Sequence, residues 1–104
     1  MVSAHGRLAG GGDAPGAGEN TVVVARTDGF VVEQILSGTL DAPQGYEQDH
    51  DEWVVVLAGG AVLEVEGVAH ELIAGDWWLL PAGTPHRLVR THPGTSWLAV
   101  RSTG

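Results

Sequence analysis

Apolar residues recur along this chain in short bursts broken by glycine, proline and aspartate, without the spacing that marks one face of a helix. Thr21-Val22-Val23-Val24-Ala25 is rich in β-branched residues and predicts a strand; Phe30 to Leu36 predicts a second, with Asp28-Gly29 turning between them. In Ala61 to Glu66 the last four residues alternate apolar and acidic, which predicts a strand with one buried face, and Gly67 ends it. His70 to Ile73 is a short return strand, and Trp77 to Leu80 follows the Gly75-Asp76 corner. Arg87 to Arg90 and Ser96 to Arg101 supply the last strands, separated by His92-Pro93-Gly94. Short strands between glycine and proline turns predict an all-β sandwich or small barrel.

Residues 1–20 are dominated by glycine and alanine and have little to bury, so a flexible lead-in is expected there, followed by a single domain over 21–104. The 104 residues suffice for one domain, and 43% hydrophobic content with four tryptophans suffices for its core. Cysteine and lysine are both absent, which removes disulfides, thiolate chemistry and Schiff bases on a side-chain amine. Five arginines against thirteen acids give a formal net charge of −8, which repels phosphate backbones and argues against nucleic acid as a partner. No apolar run approaches the roughly 20 residues of a membrane helix, and no signal-peptide core lies near Met1. The expectation is a soluble, cytoplasmic protein with no membrane partner.

The segment Gly75-Asp76-Trp77-Trp78-Leu79-Leu80-Pro81-Ala82-Gly83-Thr84-Pro85-His86 carries the most information. Pro81, Gly83 and Pro85 forbid a helix and make a second turn, so His86 re-enters the fold at a set place before Leu88 and Val89. This spacing of Gly75, Pro81, Gly83 and His86 resembles the second motif of the cupin superfamily. Glu52 to Gly59 resembles the end of the first motif, a Glu, six residues and a Gly, with the fifteen residues Gly60 to Ala74 between the two. The resemblance covers about Gly45 to Thr91 and implies a double-stranded β-helix, the jelly-roll barrel with one open mouth.

The same resemblance implies a divalent metal held by a His-x-His pair, the motif-one Glu and the motif-two His. Glu52 and His86 match their positions, but the His-x-His positions fall on Tyr46 and Gln48, or with the longer spacer on Gly45 and Glu47. Arg90 stands where an Asn is common. The string Tyr46-Glu47-Gln48-Asp49-His50-Asp51-Glu52-Trp53, the His86-Arg87 pair and the Trp97-Leu98-Ala99-Val100 ending resemble a small bacterial cupin subgroup that lacks the pair. Residues two apart on a strand face lie about 6.6 Å apart, so His50 and Glu52 could share an ion with His86. Such a set suits iron, zinc, manganese or nickel. If Asp49 to Asp51 turn instead, His50 faces solvent and Gln48, Glu52 and His86 remain.

Three functions stay open on these residues. A metal-dependent enzyme on a small polar molecule, an oxygenase, isomerase or lyase, would use Glu52, His86 and His50 or Gln48, with Tyr46 as acid or donor. Without metal, Glu52 would serve as base, its pKa raised by burial, with His86 as acid. A non-catalytic barrel would hold a small-molecule ligand between Trp78 and Tyr46, oriented by Gln48, Glu52 and His86. A structural protein would fill its own interior. The bland alternatives are that Glu52 is solvated or paired with Arg87 or Arg90, that His5, His70 and His92 are exposed, and that Tyr46 packs at the rim. Trp53 and Trp77 read as core or interface residues, and the outward stripe Trp53, Val55 and Leu57 predicts a homodimer.

Overall fold

The structure is a computed structural model that describes residues 3–40, 42–46 and 48–103; Glu47 and the side chains of Gln44 and Tyr46 lie outside it. The strands are β1 (Glu19–Arg26), β2 (Phe30–Ser37), β3 (Gln44–Tyr46), β4 (Glu52–Ala58), β5 (Gly60–Val65), β6 (Val68–Ile73), β7 (Trp77–Leu80), β8 (His86–Thr91) and β9 (Thr95–Ser102). They form a five-stranded sheet, β1-β2-β9-β4-β7, and a four-stranded sheet, β3-β8-β5-β6, with every strand pairing antiparallel. The all-β jelly roll expected from the sequence is what the chain adopts. A single turn of 3-10 helix, Gly11–Asp13, is the one helical element among the described residues.

Alternation sets the two faces of each sheet. Along β4, Val54 and Val56 are buried while Trp53, Val55 and Leu57 point away from the core. Along β5, Ala61, Leu63 and Val65 face inward and Glu64 outward. Leu80 of β7, Leu88 of β8, and Trp97 and Ala99 of β9 complete a core drawn from both sheets. Burial of these apolar faces drives the assembly, at about 25 cal/mol for each Å² removed from water. Between β5 and β6 the chain reverses through Glu66 (φ 50°) and Gly67 (φ 84°). Two successive positive φ values match the twist of the hairpin, and glycine adopts one of them without steric cost. The expected acidic outer face of β5 therefore ends at Glu64, and Glu66 belongs to the turn.

Parts of the N-terminal segment lie against the sheet. The Gln34 side chain accepts a hydrogen bond from Ala9 N and donates one to Ala9 O, both at 2.9 Å. Gly18 N donates to Thr39 O at 2.8 Å, Thr39 N to Gly16 O at 3.2 Å, and Ala17 bridges Thr39 in parallel. A Cβ at Gly38 would collide with the backbone of Pro15 and Gly16, so glycine is what permits this close approach. Strand β1 accordingly begins at Glu19, two residues before the start read from the sequence. This matters for function, because Glu19 and Thr21 then line the cavity described below.

Candidate functional site

The polar end of the barrel is built by two turns that hold each other. Asp51, the last residue before β4, accepts a hydrogen bond from Ala82 N at 2.9 Å through Oδ1. Gly83 N donates to Gln48 O at 2.7 Å. Ser102 N donates to Asp51 O and Ser102 Oγ accepts from Asp51 N, tying the same corner to β9. The Pro81–Pro85 turn is therefore fastened to the segment that carries Gln48, His50 and Glu52. Cross-strand pairing then sets Glu52 opposite Leu80 on one side and Arg101 on the other. His86 opens β8 between Tyr46 of β3 and Val65 of β5.

These elements enclose a cavity of about 270 Å³. Val54, Leu63, Leu80, Leu88 and Trp97 form its apolar floor, and Gln48, His50, Glu52 and His86 form a polar wall. A cavity of this kind, mostly apolar with a few convergent polar groups, is the form that small-molecule sites take. His86 is 8% exposed and its Nδ1 lies 3.0 Å from Thr84 O. A carbonyl only accepts, so Nδ1 carries the hydrogen, and in the neutral ring Nε2 is the acceptor. Burial raises the Glu52 carboxyl above its ordinary range; His86, His50 and a hydrogen bond from Gln48 oppose that rise, and Glu33 adds slightly to it.

The segment before Glu52 bends at Asp49 and His50. Asp49 is fully solvated and His50 Nδ1 lies 3.4 Å from its carboxylate, yet His50 lines the cavity beside Gln48. His50 Nε2 is buried without a hydrogen-bond partner, and so is Nε1 of Trp97. Among the described residues, however, no three His, Asp or Glu side chains are gathered so as to hold a metal ion. Imidazole and carboxylate donors suit a divalent ion chemically, but as placed they do not form its ligand shell.

Trp78 does not line the cavity; it packs on the core with its ring 4.4 Å from that of His70. His70 is consequently half-buried on β6 rather than an exposed turn residue. Glu52 is half-buried, and Arg87 pairs with Glu64 at 2.9 Å on the outer face. Tyr46 sits on β3 opposite His86, and its side chain lies outside the described residues.

Four wall residues escaped the sequence reading: Glu19, Thr21, Glu33 and Arg101. Arg101 Nε donates to Glu33 Oε1 at 2.6 Å, and Ser37 Oγ donates to Glu19 Oε2 at 2.5 Å. Their signal was alternation. Arg101 shares the inward phase of Trp97 and Ala99, and Glu33 is in phase with Val31 and Ile35.

A family model for the cupin domain matches residues 31–100. The chain belongs to the cupin family. Its fold matches the crystal structure of a protein named a putative mannose-6-phosphate isomerase from Ralstonia eutropha, at 33% identity and a TM-score of 0.79 over 98% of this chain and 100% of that one. KdgF from Halomonas sp. matches at 25% identity and a TM-score of 0.72, over 82% of this chain and 78% of KdgF. A protein named a sugar phosphate isomerase from Silicibacter pomeroyi shares the cupin fold at 23% identity and a TM-score of 0.65, over 84% of this chain and 60% of that one. No curated protein sequence matches the chain.

Proposed function

We propose that this cupin binds a small polar molecule in its barrel cavity, with Glu52 and His86 as the pair that orients it and can exchange a proton with it. The observation that carries this reading is the juxtaposition of a carboxyl raised by burial with an imidazole whose tautomer is set by Thr84 O. A carboxyl poised nearer neutrality and an acceptor nitrogen are what proton removal next to a carbonyl needs. The 33% identical Ralstonia protein, named for a sugar-phosphate isomerase, favours a sugar-sized molecule. The test is ligand titration of the wild type, Glu52→Gln and His86→Asn by calorimetry, with any isomerisation followed by proton exchange into the sugar. Both variants are expected to lose about tenfold or more in affinity or turnover. Unchanged binding in both would remove this pair from the site.

The metal-dependent enzyme is the second reading, and the buried, unpartnered Nε2 of His50 is the observation in its favour. His50, Glu52, His86 and Gln48 would be its ligands, and iron, zinc, manganese or nickel the candidates. Elemental analysis of the untagged protein, alone and as His50→Ala and His86→Ala, decides it: stoichiometric metal lost in both variants supports the reading, and none after reloading ends it.

The homodimer belongs to the same proposal. Trp77 and Leu79 are 60% and 53% exposed, and the Trp53 and Trp77 rings lie 6.2 Å apart on the outer face of β4 and β7. The N-terminal segment covers Gln34 of that sheet and leaves this end bare. An uncharged apolar face is complementary to itself across a two-fold axis. Leu79→Glu is expected to halve the mass measured by light scattering; a monomeric wild type would end the idea.

A further inference from the structure

The polar groups of the cavity divide into those already satisfied and those left over, and the division specifies a ligand. Among the described wall residues, Glu19, Glu33 and Glu52 face a single guanidinium, Arg101. Arg101 is spent on Glu33, Glu19 holds Ser37 Oγ, and Glu52 holds Gln48. No cation here is left without a carboxylate beside it, so a phosphoryl group entering the cavity would meet more negative than positive charge. Among the described residues, the buried side-chain nitrogens without partners are the indole N–H of Trp97 and Nε2 of His50, both in residues that line the cavity. Trp97 is 4% exposed. A buried indole N–H without an acceptor carries a desolvation penalty that a ligand oxygen would remove.

We infer that the cavity takes an uncharged, hydroxyl-bearing molecule and rejects its phosphorylated counterpart, with Trp97 Nε1 donating to a ligand oxygen and His50 Nε2 pairing with a hydroxyl. The inference rests on the ligand-binding reading of the cavity and names its substrate class. It separates this chain from the sugar phosphate in the name of the Ralstonia protein. Glu33 is the residue that sets the distinction, since it occupies the one guanidinium that could otherwise receive a phosphate. Trp97 acts as an anchor rather than in any chemical step.

The experiment follows the indole resonances of 15N-tryptophan-labelled protein, with that of Trp97 assigned by its loss in Trp97→Phe. The probes are uncharged hexoses, pentoses and polyols, D-mannose and D-mannose 6-phosphate as a matched pair, and inorganic phosphate alone. An uncharged probe is expected to shift the Trp97 resonance saturably, with its phosphorylated partner binding about tenfold weaker or worse. Phosphate alone should leave that resonance unmoved in the wild type. Glu33→Gln should narrow the gap by about tenfold and let phosphate bind, while Trp97→Phe should weaken the uncharged probe by about tenfold, read by calorimetry. Tighter binding of the phosphorylated member, or a response of the wild type to phosphate, overturns the inference and leaves the cavity reading standing. A gap that Glu33→Gln leaves unchanged overturns the role given to Glu33. No shift with any probe of either charge overturns the cavity reading, and this inference with it.

Discussion

Two inward-facing histidines of this barrel meet different fates. His70 lies on β6, at the edge of the four-stranded sheet, and its ring packs 4.4 Å from Trp78 of β7, at the edge of the other sheet. The pair bridges the seam where the two sheets would otherwise part. His86 begins β8, inside its sheet between β3 and β5, with its ring nitrogen on Thr84 O and Glu52 among the charges it feels. One imidazole is consumed by packing and the other is aimed by backbone. Both are histidines at the inward phase of a short strand, so what distinguishes them is the chain around them. His86 follows a turn with two prolines, whereas His70 follows the tight Glu66-Gly67 reversal, whose Glu66 N donates to Pro85 O at 3.0 Å.

The sharpest way to break that comparison is to remove the packed partner. Trp78→Ala should destabilise the protein by about 2–3 kcal/mol, below the full cost of a buried tryptophan because Trp78 is only half-buried. His70→Ala should cost about 1 kcal/mol, the scale of a single aromatic contact. Neither should change ligand affinity in the folded protein, whereas His86→Asn should change affinity and leave the melting temperature nearly unmoved. Denaturant melts and titrations on the same three variants check this. A loss of ligand affinity in Trp78→Ala at temperatures where it is fully folded would return Trp78 to the cavity.

The sequence was most legible where period and turn chemistry agree. Gly75 to His86 implied corner, strand, turn and aimed histidine, and β7, its two flanking turns and buried His86 follow that order. Glu52 was legible as the motif-one Glu, at the head of an unbroken apolar run. Legibility fails where position depends on what another segment does. Trp78 has the inward phase expected of a pocket residue, but β6 supplies His70 to meet it, and no local pattern reveals that pairing. His50 sits in an acidic bend that looks solvated, yet the tie from Asp51 to Ala82 turns the bend so that its ring lines the cavity. Glu19 and Thr21 were hidden because the strand reading began at the β-branched run, while the N-terminal segment extends β1 backward by bonding to Gly38 and Thr39. The Glu33–Arg101 pair spans sixty-eight positions of chain and was visible only as phase, not as contact.

The smallest effect expected is the one that most directly reads the electrostatics of the aimed site. Burial is the largest influence on Glu52 and raises its pKa, against the pull of His86, His50 and Gln48, with Glu33 adding to the rise. A carboxyl raised in the folded state makes its full contribution to stability below the ordinary carboxyl range, where it is protonated both folded and unfolded. That contribution is lost as pH rises through the raised value, because the unfolded chain then releases the proton more readily than the folded one. Glu52→Gln keeps the shape and a hydrogen-bonding group toward Gln48 but removes the charge. The variant should therefore gain in melting temperature over the wild type as pH rises from the ordinary carboxyl range toward neutrality. The gain should vanish as pH falls below that range. His70→Ala, at the seam and away from Glu52, should track the wild type at a constant offset over the same window. An offset between wild type and Glu52→Gln that does not depend on pH would mean that Glu52 is as well solvated as an exposed glutamate, and the contrast between the packed and the aimed histidine would lose its electrostatic half.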